Sequence, residues 1–385
     1  MQTNPVIWPS PQSHLTRMRP DKPILYFSPA ELHVTAHRFI TGFDGLVTYA
    51  VKANDRAEVL ANLVAAGVTT FDVASPAEMQ AVRAVCPTAA LHYNNPVRSP
   101  DEVAEAVRFG VTSASVDCPD ELEKLGLLPA GTEIAVRFKL AVPGAAYDFG
   151  SKFGATPDQA VTLLKEVAAR GFAPSLCFHP GTQCDDPNAW IRYIAAASQI
   201  ALQADVRLKR LNVGGGFASH RAEYAPDLDA IFDAIHAACA AHFPQDAPQL
   251  ICEPGRAMVA EAFTLATRVK ALRAEGSVLY LNDGIYGGLA EVKDIGLSPR
   301  VRVLSSTGEL RTGVTKPRII FGPTCDSLDR LPDGLALPAD MQPQDYVLFD
   351  GMGAYSIALS SRFNGYGVQD VVLVSALTGH PGSQG

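Results

Sequence analysis

The chain has 385 residues, of which 47% are hydrophobic and 19% are charged, and its formal net charge at pH 7 is −8. These proportions are typical of a globular protein and exclude a disordered chain, and the length is sufficient for a large core and two domains. Because the balance is acidic and the sequence has no basic stripe, we expect no nucleic-acid partner.

Short apolar runs with the character of buried strands alternate with helix-period segments as far as Cys252. Helical patterns occur, for example, at Asp55–Ala66, Pro76–Val85, Pro157–Arg170 and Leu228–Phe243. The eight predicted strands lie near Leu46–Val51, Thr69–Val73, Ala90–Tyr93, Thr112–Val116, Ile134–Phe138, Ser175–Phe178, Arg210–Val213 and Gln249–Cys252. This alternation predicts parallel βαβ units, which together make an α/β fold, a (β/α)8 barrel of the TIM type over residues 28–262. A doubly wound open sheet is the alternative.

Beyond Cys252 the pattern changes to short strands without long helices, punctuated by glycine and proline. The apolar run Ile24–Phe27, which follows a proline-rich start, is expected to add a strand to this part of the chain. The other predicted strands are Val278–Leu281, Val301–Leu304, Arg318–Ile320, Tyr346–Phe349 and Val368–Val374. We therefore predict a second, mostly β domain, sandwich-like or barrel-like, made of residues 1–27 and 263–385.

Residues capable of chemistry follow the predicted barrel strands. They are Lys52, Asp72, Asn94 with Asn95, Arg137, His179, Gly214-Gly215-Gly216 and Glu253. Because the active site of a (β/α)8 barrel lies at the carboxyl ends of its strands, we expect these residues to converge on one mouth.

Lys52 ends the first predicted strand, in the string Tyr49-Ala50-Val51-Lys52-Ala53-Asn54. We expect it to face a pocket, where burial would lower the pKa of its amine. A neutral amine can form a Schiff base with a carbonyl compound or with pyridoxal phosphate. The ordinary interpretation is a lysine that carries its charge to solvent, and only the other strand-end residues favour a catalytic one.

The other strand ends suit a ring-bearing, phosphorylated cofactor. The run Gly214-Gly215-Gly216 lets backbone N–H groups approach an anion, and Arg256 would supply a charged partner. Glu253 would face a pyridine nitrogen and keep it protonated, and His179 would lie flat against the ring. Taken singly, these residues also fit a flexible turn, an ion-paired carboxylate and a structural histidine.

In the predicted β domain, the loop from Gly322 to Asp329 contains Cys325-Asp326, a candidate acid beside a candidate anionic anchor. A Cys-Asp dipeptide carries little information alone. Tyr286, in Asn282-Asp283-Gly284-Ile285-Tyr286-Gly287, and Tyr355, in Gly351-Met352-Gly353-Ala354-Tyr355, are equally weak as single residues.

The cysteines and the amino terminus indicate the compartment. The seven cysteines are an odd, sparse set without a C-x-x-C pair, which favours a reducing, cytoplasmic location over a disulfide framework or a structural zinc site. Residues 1–20 have no apolar core of the signal-peptide kind, and no uncharged apolar stretch would span a bilayer. We therefore expect no bound metal and no membrane association.

Taken in order, the motifs resemble the ornithine decarboxylase family, the fold-type III pyridoxal-phosphate decarboxylases with an alanine-racemase-like barrel. The resemblance runs from about Ile24 to Phe363. It is carried by Tyr-Ala-Val-Lys-Ala-Asn, Phe-Asp-Val-Ala-Ser, Lys-Phe-Gly at 152–154, His-Pro-Gly-Thr, Gly-Gly-Gly-Phe, Glu-Pro-Gly-Arg, Asn-Asp-Gly-Ile-Tyr-Gly, Gly-Pro-Thr-Cys-Asp and Phe-Asn-Gly-Tyr at 363–366.

The resemblance implies pyridoxal 5'-phosphate as the cofactor, with Lys52 holding it as a Schiff base. Glu253 then partners the pyridine nitrogen, His179 stacks on the ring, and Asp72 and Arg137 lie in the network beside it. The implied phosphate cradle consists of Gly214, Gly215, Gly216, Thr182, Gly255, Arg256 and Tyr355.

The resemblance also implies the reaction and the assembly. Cys325 is similar to the acid that returns a proton to the α-carbon after carbon dioxide leaves, and Asp326 to the residue that accepts the distal ammonium of the substrate. In this family both come from the second subunit of a homodimer with shared active sites. The expected reaction converts L-ornithine to putrescine, or L-lysine to cadaverine, and the further expected substrate contacts are Tyr286, Asp294 and Phe363.

The chain departs from the family pattern at some positions. Members usually carry Tyr-Asp about a dozen residues after Asn-Asp-Gly, whereas this chain has Glu291-Val292-Lys293-Asp294-Ile295-Gly296, in which Asp294 would fill the role after a one-residue gap. Pro180 follows His179 in place of an aliphatic residue, and Gln183 replaces a common glycine. These differences bear on the substrate more than on the cofactor.

Other functions remain open at this point. One alternative is decarboxylation of another diamino acid or carboxylated amine, such as a diaminopimelate-like or specialised-pathway substrate. Diaminopimelate decarboxylases have Glu after the cysteine, so Asp326 favours a plain diamine side chain. A non-catalytic regulator and a racemase are more remote, because Lys52, Cys325 and Asp326 are all present.

Overall fold

The computed structural model describes residues 6–141 and 150–378. The ends of the predicted β domain, 1–5 and 379–385, lie outside the described residues. The chain divides into two compact units, one made of Ala36–Ala218 with Pro226–Met258 and the other of the remaining segments, including Ser219–Ala225. The predicted division assigned that last segment to the barrel, whereas it clusters with the sheet unit.

The first unit is a parallel β-barrel surrounded by helices. In sequence order its strands are Leu46–Val47, Tyr49–Ala50, Thr70–Val73, Ala90–Tyr93, Ser113–Val116, Glu133–Arg137, Ala173–Cys177, Arg210–Asn212 and Gln249–Cys252. Each strand from Thr70–Val73 onward pairs in parallel with the next along the chain. All eight predicted strands are present, and the first is divided in two.

Thr48 divides the first strand and thereby closes the barrel. Leu46–Val47 pairs with Gln249–Cys252, whereas Tyr49–Ala50 pairs with Thr70–Val73 on the other side. Thr48 donates its backbone N–H and its hydroxyl to the Cys252 carbonyl, at 2.9 and 3.0 Å. Because the first strand contacts both the second and the last, the sheet forms a ring, and the doubly wound alternative is wrong.

The helices begin at sequence signals that are local. Ser75, Ser99 and Thr156 each cap a helix that starts with proline, and the last two form capping boxes with Glu102 and Gln159. Among the described residues the α-helices are Pro11–Met18, Pro29–Gly42, Ala57–Ala65, Pro76–Val85, Pro100–Phe109, Pro119–Lys124, Pro157–Ala169, Pro187–Ala204, Leu228–His242, Arg256–Val259 and Val292–Ile295. Short 3-10 turns occur at Val51–Ala53, Leu125–Leu127, Ala260–Ala262 and Phe363–Gly365.

The second unit is mostly sheet. Its main sheet has the order Val301–Leu304, Tyr346–Asp350, Phe263–Arg273, Ile24–Phe27 and Asp370–Leu373. Ile24–Phe27 pairs with two neighbours, so the predicted extra strand is confirmed. The remaining strands are Val278–Leu281, Thr315–Pro317, Ile319–Phe321 and Ala336–Pro338. The eleven-residue strand Phe263–Arg273 was not predicted, because polar residues interrupt its apolar pattern.

Both units have apolar cores of fully buried side chains. In the barrel unit Tyr49, Phe71 and Leu91 are 0% exposed, and in the sheet unit Tyr26 and Leu348 pack in a core with the same burial. Such cores supply most of the favourable free energy of folding and hold the strand ends in fixed positions. Within the described ranges, no helix has the length and apolarity needed to cross a membrane.

Candidate active site

The carboxyl ends of the barrel strands enclose a cavity of about 220 Å³, open to solvent at its mouth. Seven of the predicted strand-end residues line it: Lys52, Asp72, Asn94, Asn95, Arg137, His179 and Glu253. Lys152 and Phe153 also line it. The convergence expected of a barrel mouth is therefore present, and it gathers an amine, two carboxylates, a guanidinium and an imidazole in one place.

Lys52 lies in the 3-10 turn Val51–Ala53, immediately after the strand Tyr49–Ala50. Its neighbours Val51 and Ala53 are buried and anchor the turn, whereas Lys52 itself is exposed at the cavity. Lys52 therefore faces the pocket, as expected, but it is not buried there. Two carboxyl groups lie close enough to interact with its charge, because Lys52 acts to lower the pKa of both Asp72 and Glu253.

Asp72 and Glu253 are two desolvated carboxyl groups at the ends of different strands. Burial raises the pKa of Asp72, against the opposing effects of Lys52, Asn94 and Arg137. Burial, followed by the charge of Asp72, raises the pKa of Glu253 to about 8. Carboxylates with shifted pKa values in a cleft are typical of functional sites, because placing them there costs stability.

The two asparagines nearest Glu253 donate hydrogen bonds to it. Asn94 Nδ2 lies 2.6 Å from Glu253 Oε1, and Asn212 Nδ2 donates to the same oxygen. Asn212 Oδ1 accepts a hydrogen bond from Gly214 N at 2.8 Å, which fixes the orientation of its amide. Sequence reasoning placed Asn94 at the barrel mouth without assigning it a role, and it did not single out Asn212, which ends a strand two residues before the glycine run.

His179 is held as a neutral ring. Its Nδ1 accepts a hydrogen bond from the Gly181 N–H at 3.1 Å, which requires an unprotonated nitrogen at that position. Burial, followed by the positive charges of Lys52 and Arg137, holds the pKa of His179 well below its ordinary value. An uncharged imidazole suits stacking against a cationic ring, since it adds no repulsive charge.

The glycine run after the strand Arg210–Asn212 has no room for side chains. A Cβ on Gly214 would lie 2.1 Å from Phe178 O, and one on Gly216 would lie 2.2 Å from Gly181 O. Both glycines also have positive φ, 72° and 85°. The loop is therefore fixed by its surroundings, which excludes the alternative of a merely flexible turn.

The other predicted cradle residues are buried, closely packed or held in an unusual backbone conformation. Thr182 is 9% exposed and Arg256 is 7% exposed, and Arg256 begins the helix Arg256–Val259. A Cβ on Gly255 would lie 3.1 Å from that of Ala53. Tyr355, in the sheet unit, has φ of 57°, a left-handed conformation that is an outlier for a bulky residue and marks functional segments.

The sheet unit holds a second group of predicted residues. The Tyr286 hydroxyl donates to Asp326 Oδ2, and the Tyr286 and Phe363 rings lie 5.1 Å apart. Cys325 is an exposed thiol whose backbone N–H donates to Asn364 Oδ1 at 3.0 Å. Buried Asp329 holds the loop through the N–H and hydroxyl of Thr324, at 3.0 and 2.8 Å.

Asp294 has no bond to this group within the described residues. It is exposed on the short helix Val292–Ile295, and in the part of the chain that the structure describes no side-chain hydrogen bond or ion pair joins it to Tyr286 or Asp326.

Gln183, which departs from a common glycine, has φ of 51°. This left-handed conformation is the physical reason why glycine suits that position.

Glu78 is a further residue that sequence reasoning missed. It lies in the first turn of the helix Pro76–Val85 and accepts a hydrogen bond from Ala74 N at 2.7 Å. Burial raises the pKa of Glu78 to about 7, and the charges of Asp72 and Lys52 also act on it. Its capping position gave it an ordinary structural explanation, so the sequence offered no separate signal.

Comparisons with known proteins agree with this geometry. Residues 30–260 match the family model of the pyridoxal-dependent decarboxylase, pyridoxal binding domain. The chloroplastic ornithine decarboxylase of Nicotiana glutinosa is 35% identical over 348 residues, which cover 86% of this chain and 78% of that protein.

Solved structures of two decarboxylases are similar over nearly the whole chain. The arginine decarboxylase of Paramecium bursaria Chlorella virus has 26% identity and a TM-score of 0.84, covering 93% of this chain and 98% of that one. The lysine decarboxylase of Selenomonas ruminantium has 27% identity and a TM-score of 0.81, covering 94% and 96%.

Proposed function

This chain belongs to the family of pyridoxal-dependent decarboxylases, and we propose that it removes the carboxyl group of a basic L-amino acid, L-ornithine or else L-lysine. The products would be putrescine or cadaverine. The observation that carries the proposal is the cavity at the barrel mouth, which gathers Lys52, Glu253 and His179.

The residues of this cavity fit pyridoxal phosphate. Lys52 would hold the cofactor through Nζ, and Glu253 would face the ring nitrogen. The glycine run, whose backbone would be blocked by any Cβ, suits the close approach of a phosphate group. We propose that Thr182, Gly255, Arg256 and Tyr355 complete the phosphate contacts.

Each of the chain's own residues in the site would have a separate role in the reaction. Bound pyridoxal phosphate supplies an electron-withdrawing ring that stabilises negative charge at the α-carbon. Neutral His179 would stack on one face of that ring and exclude water, and Arg137 would balance the charge of Asp72 and Glu253. Cys325 would deliver a proton from Sγ to the α-carbon, and its exposed position leaves the thiol accessible to a substrate.

Asp326 supports a substrate with a distal ammonium. Hydrogen bonds from Tyr286 and from Leu328 N lower the pKa of Asp326, so that it stays a carboxylate. A fixed carboxylate forms a strong charge-assisted hydrogen bond with an ammonium group. Tyr286 and Phe363 would line the same binding region, and Asp294 would add a second acidic contact.

We further propose a homodimer in which Cys325 of the partner subunit completes each site. The exposure of Leu328 (71%) and Phe363 (42%) beside the Cys325 loop supports an interface there, because large apolar side chains cluster at such surfaces.

All seven cysteines are free thiols, which supports a reducing, cytoplasmic location.

The test is carbon dioxide release by the protein loaded with pyridoxal phosphate. The panel consists of L-ornithine, L-lysine, L-arginine, meso-diaminopimelate and D-ornithine. We expect release from L-ornithine or L-lysine to exceed release from the others. Preference for diaminopimelate would contradict the role of Asp326, and no release from any member by the loaded protein would overturn the proposed function.

A further inference from the structure

The side-chain amide of Asn94 acts on both carboxyl groups of the cavity. Its Nδ2 is 2.6 Å from Glu253 Oε1, and hydrogen bonding by the same side chain lowers the pKa of Asp72 against the effect of burial. Asn94 directly follows the strand Ala90–Tyr93, and its backbone N–H donates to Val73 O at 3.2 Å. The barrel itself therefore sets the position of this amide.

Two adjacent carboxyl groups with little access to water tend to retain a proton. Asp72 is 5% exposed, and its charge raises the pKa of Glu253. A protonated Glu253 would lose the charge with which it stabilises a pyridine N–H. An uncharged amide donor partly offsets this effect, because a hydrogen bond that it donates stabilises the ionised form of a carboxyl group.

Asn212 completes the arrangement on the other side of Glu253. Its Nδ2 donates to the same Oε1, while its Oδ1 is engaged by Gly214 N. Glu253 N in turn donates to Gly214 O at 2.9 Å. Both asparagine donors meet Oε1, and no hydrogen bond given for the described residues ends on Oε2 of Glu253, so this second oxygen is the one available to a ligand.

We propose that Asn94 is a positioning residue that stabilises the ionised form of Glu253 and aims its second oxygen at the ring nitrogen of the bound cofactor. This inference rests on the proposed function, since it concerns the same cavity. It assigns Asn94 an effect that depends on one atom of the cofactor, the pyridine nitrogen, and so it differs from a general contribution to cavity shape.

The test compares binding of pyridoxal phosphate with binding of its 1-deaza analogue, in which a C–H replaces the ring nitrogen. Dissociation constants for both are measured with the wild type, Asn94→Ala and Asn94→Asp. The isosteric Asn94→Asp keeps the shape of the side chain and adds a third carboxylate beside Asp72 and Glu253. Asn95→Ala is the matched control, because Asn95 lines the same cavity but donates to Ala74 O at 3.2 Å.

We expect both Asn94 variants to weaken binding of pyridoxal phosphate about tenfold more than binding of the deaza analogue. Asn95→Ala should affect the two ligands equally. Equal weakening of both ligands, or no change, in the Asn94 variants would overturn the inference and leave the proposed function standing. Failure of the wild type to bind pyridoxal phosphate would instead overturn the proposed function together with this inference.

Discussion

Tyr286 donates its phenolic hydrogen to Oδ2 of Asp326, while Leu328 N donates to Oδ1 at 2.9 Å. The two residues are 40 positions apart in the sequence, and the hydrogen bond places an aromatic ring beside the carboxylate. The Phe363 ring, 5.1 Å from that of Tyr286, adds a second apolar face. A carboxylate framed by aromatic rings suits the ammonium group at the end of an aliphatic chain.

This arrangement predicts an order of effects on substrate binding. Asp326→Asn should raise the KM for L-ornithine by at least about tenfold, because it removes the charge that attracts the ammonium. Tyr286→Phe should raise KM less, since the carboxylate remains but loses one donor. Steady-state kinetics of both variants, with Asp294→Asn alongside, provide the measurement. A larger effect for Asp294→Asn would transfer the ammonium contact to that residue.

Lys52→Ala should abolish the near-visible absorbance of bound pyridoxal phosphate, because the only proposed covalent attachment is lost. We also expect kcat to fall by roughly a thousandfold or more. Lys152→Ala is the matched control, since Lys152 lines the same cavity, and it should retain the absorbance. Absorbance that persists in Lys52→Ala but disappears in Lys152→Ala would show that Lys152, and not Lys52, attaches the cofactor.

Cys325→Ala should change the products more than the rate of carbon dioxide release. Without the thiol proton donor, a larger share of turnovers should end in decarboxylation-dependent transamination, with loss of the cofactor as its amine form. The ratio of aldehyde to diamine measures this share. Cys86→Ala, at a partly exposed thiol after the helix Pro76–Val85, should leave the ratio unchanged. An unchanged ratio in Cys325→Ala would remove its role as proton donor.

Mixed dimers test whether active sites are shared. Lys52→Ala subunits, which are inactive, and Cys325→Ala subunits, which form less diamine, should together recover up to about a quarter of wild-type diamine formation by intact sites after equimolar mixing, because half of the dimers carry one intact site. Mixing Lys52→Ala with Glu253→Gln should give no recovery, since both changes lie in the barrel unit. No recovery in the first mixture, with heterodimers verified by mass, would contradict the shared site.

Asp283 predicts a dependence of stability on pH. It is 1% exposed and accepts the Gly288 N–H at 2.9 Å, and burial raises its pKa from 3.8 to about 7. The folded state thus binds the proton more tightly than the unfolded state. The associated stability is complete below about pH 4 and is lost as pH rises towards 7, by an amount on the order of 4 kcal/mol.

Asp283→Asn should flatten this pH dependence, because the amide oxygen still accepts from Gly288 but does not ionise. Thermal unfolding midpoints of the wild type and the variant between pH 5 and 8 provide the measurement. Asp294→Asn, at an exposed carboxylate of the same unit, should keep the wild-type slope. Parallel slopes for the wild type and Asp283→Asn would show that another group controls the effect.

Much of the barrel follows from local signals. The strands Ala90–Tyr93 and Gln249–Cys252 and the helix Pro76–Val85 coincide with the predicted ranges, because apolar periodicity and a Ser-Pro cap specify them over short distances. The strand Phe263–Arg273 was missed because its pairing partners, far along the chain, stabilise it despite its polar residues.

The sequence by itself determined the order of strands and helices, the residues at the strand ends and the family motifs, since these depend on neighbours along the chain. Only the tertiary structure decided how the ring closes on both sides of Thr48 and that Lys52 is exposed. It also decided that Asn94 and Asn212 meet Glu253 and that Tyr286 meets Asp326. Hydrogen bonds between residues far apart in the sequence, and the loss of water around them, exist only in the folded chain. The periodicity of apolar residues along the sequence therefore does not predict them.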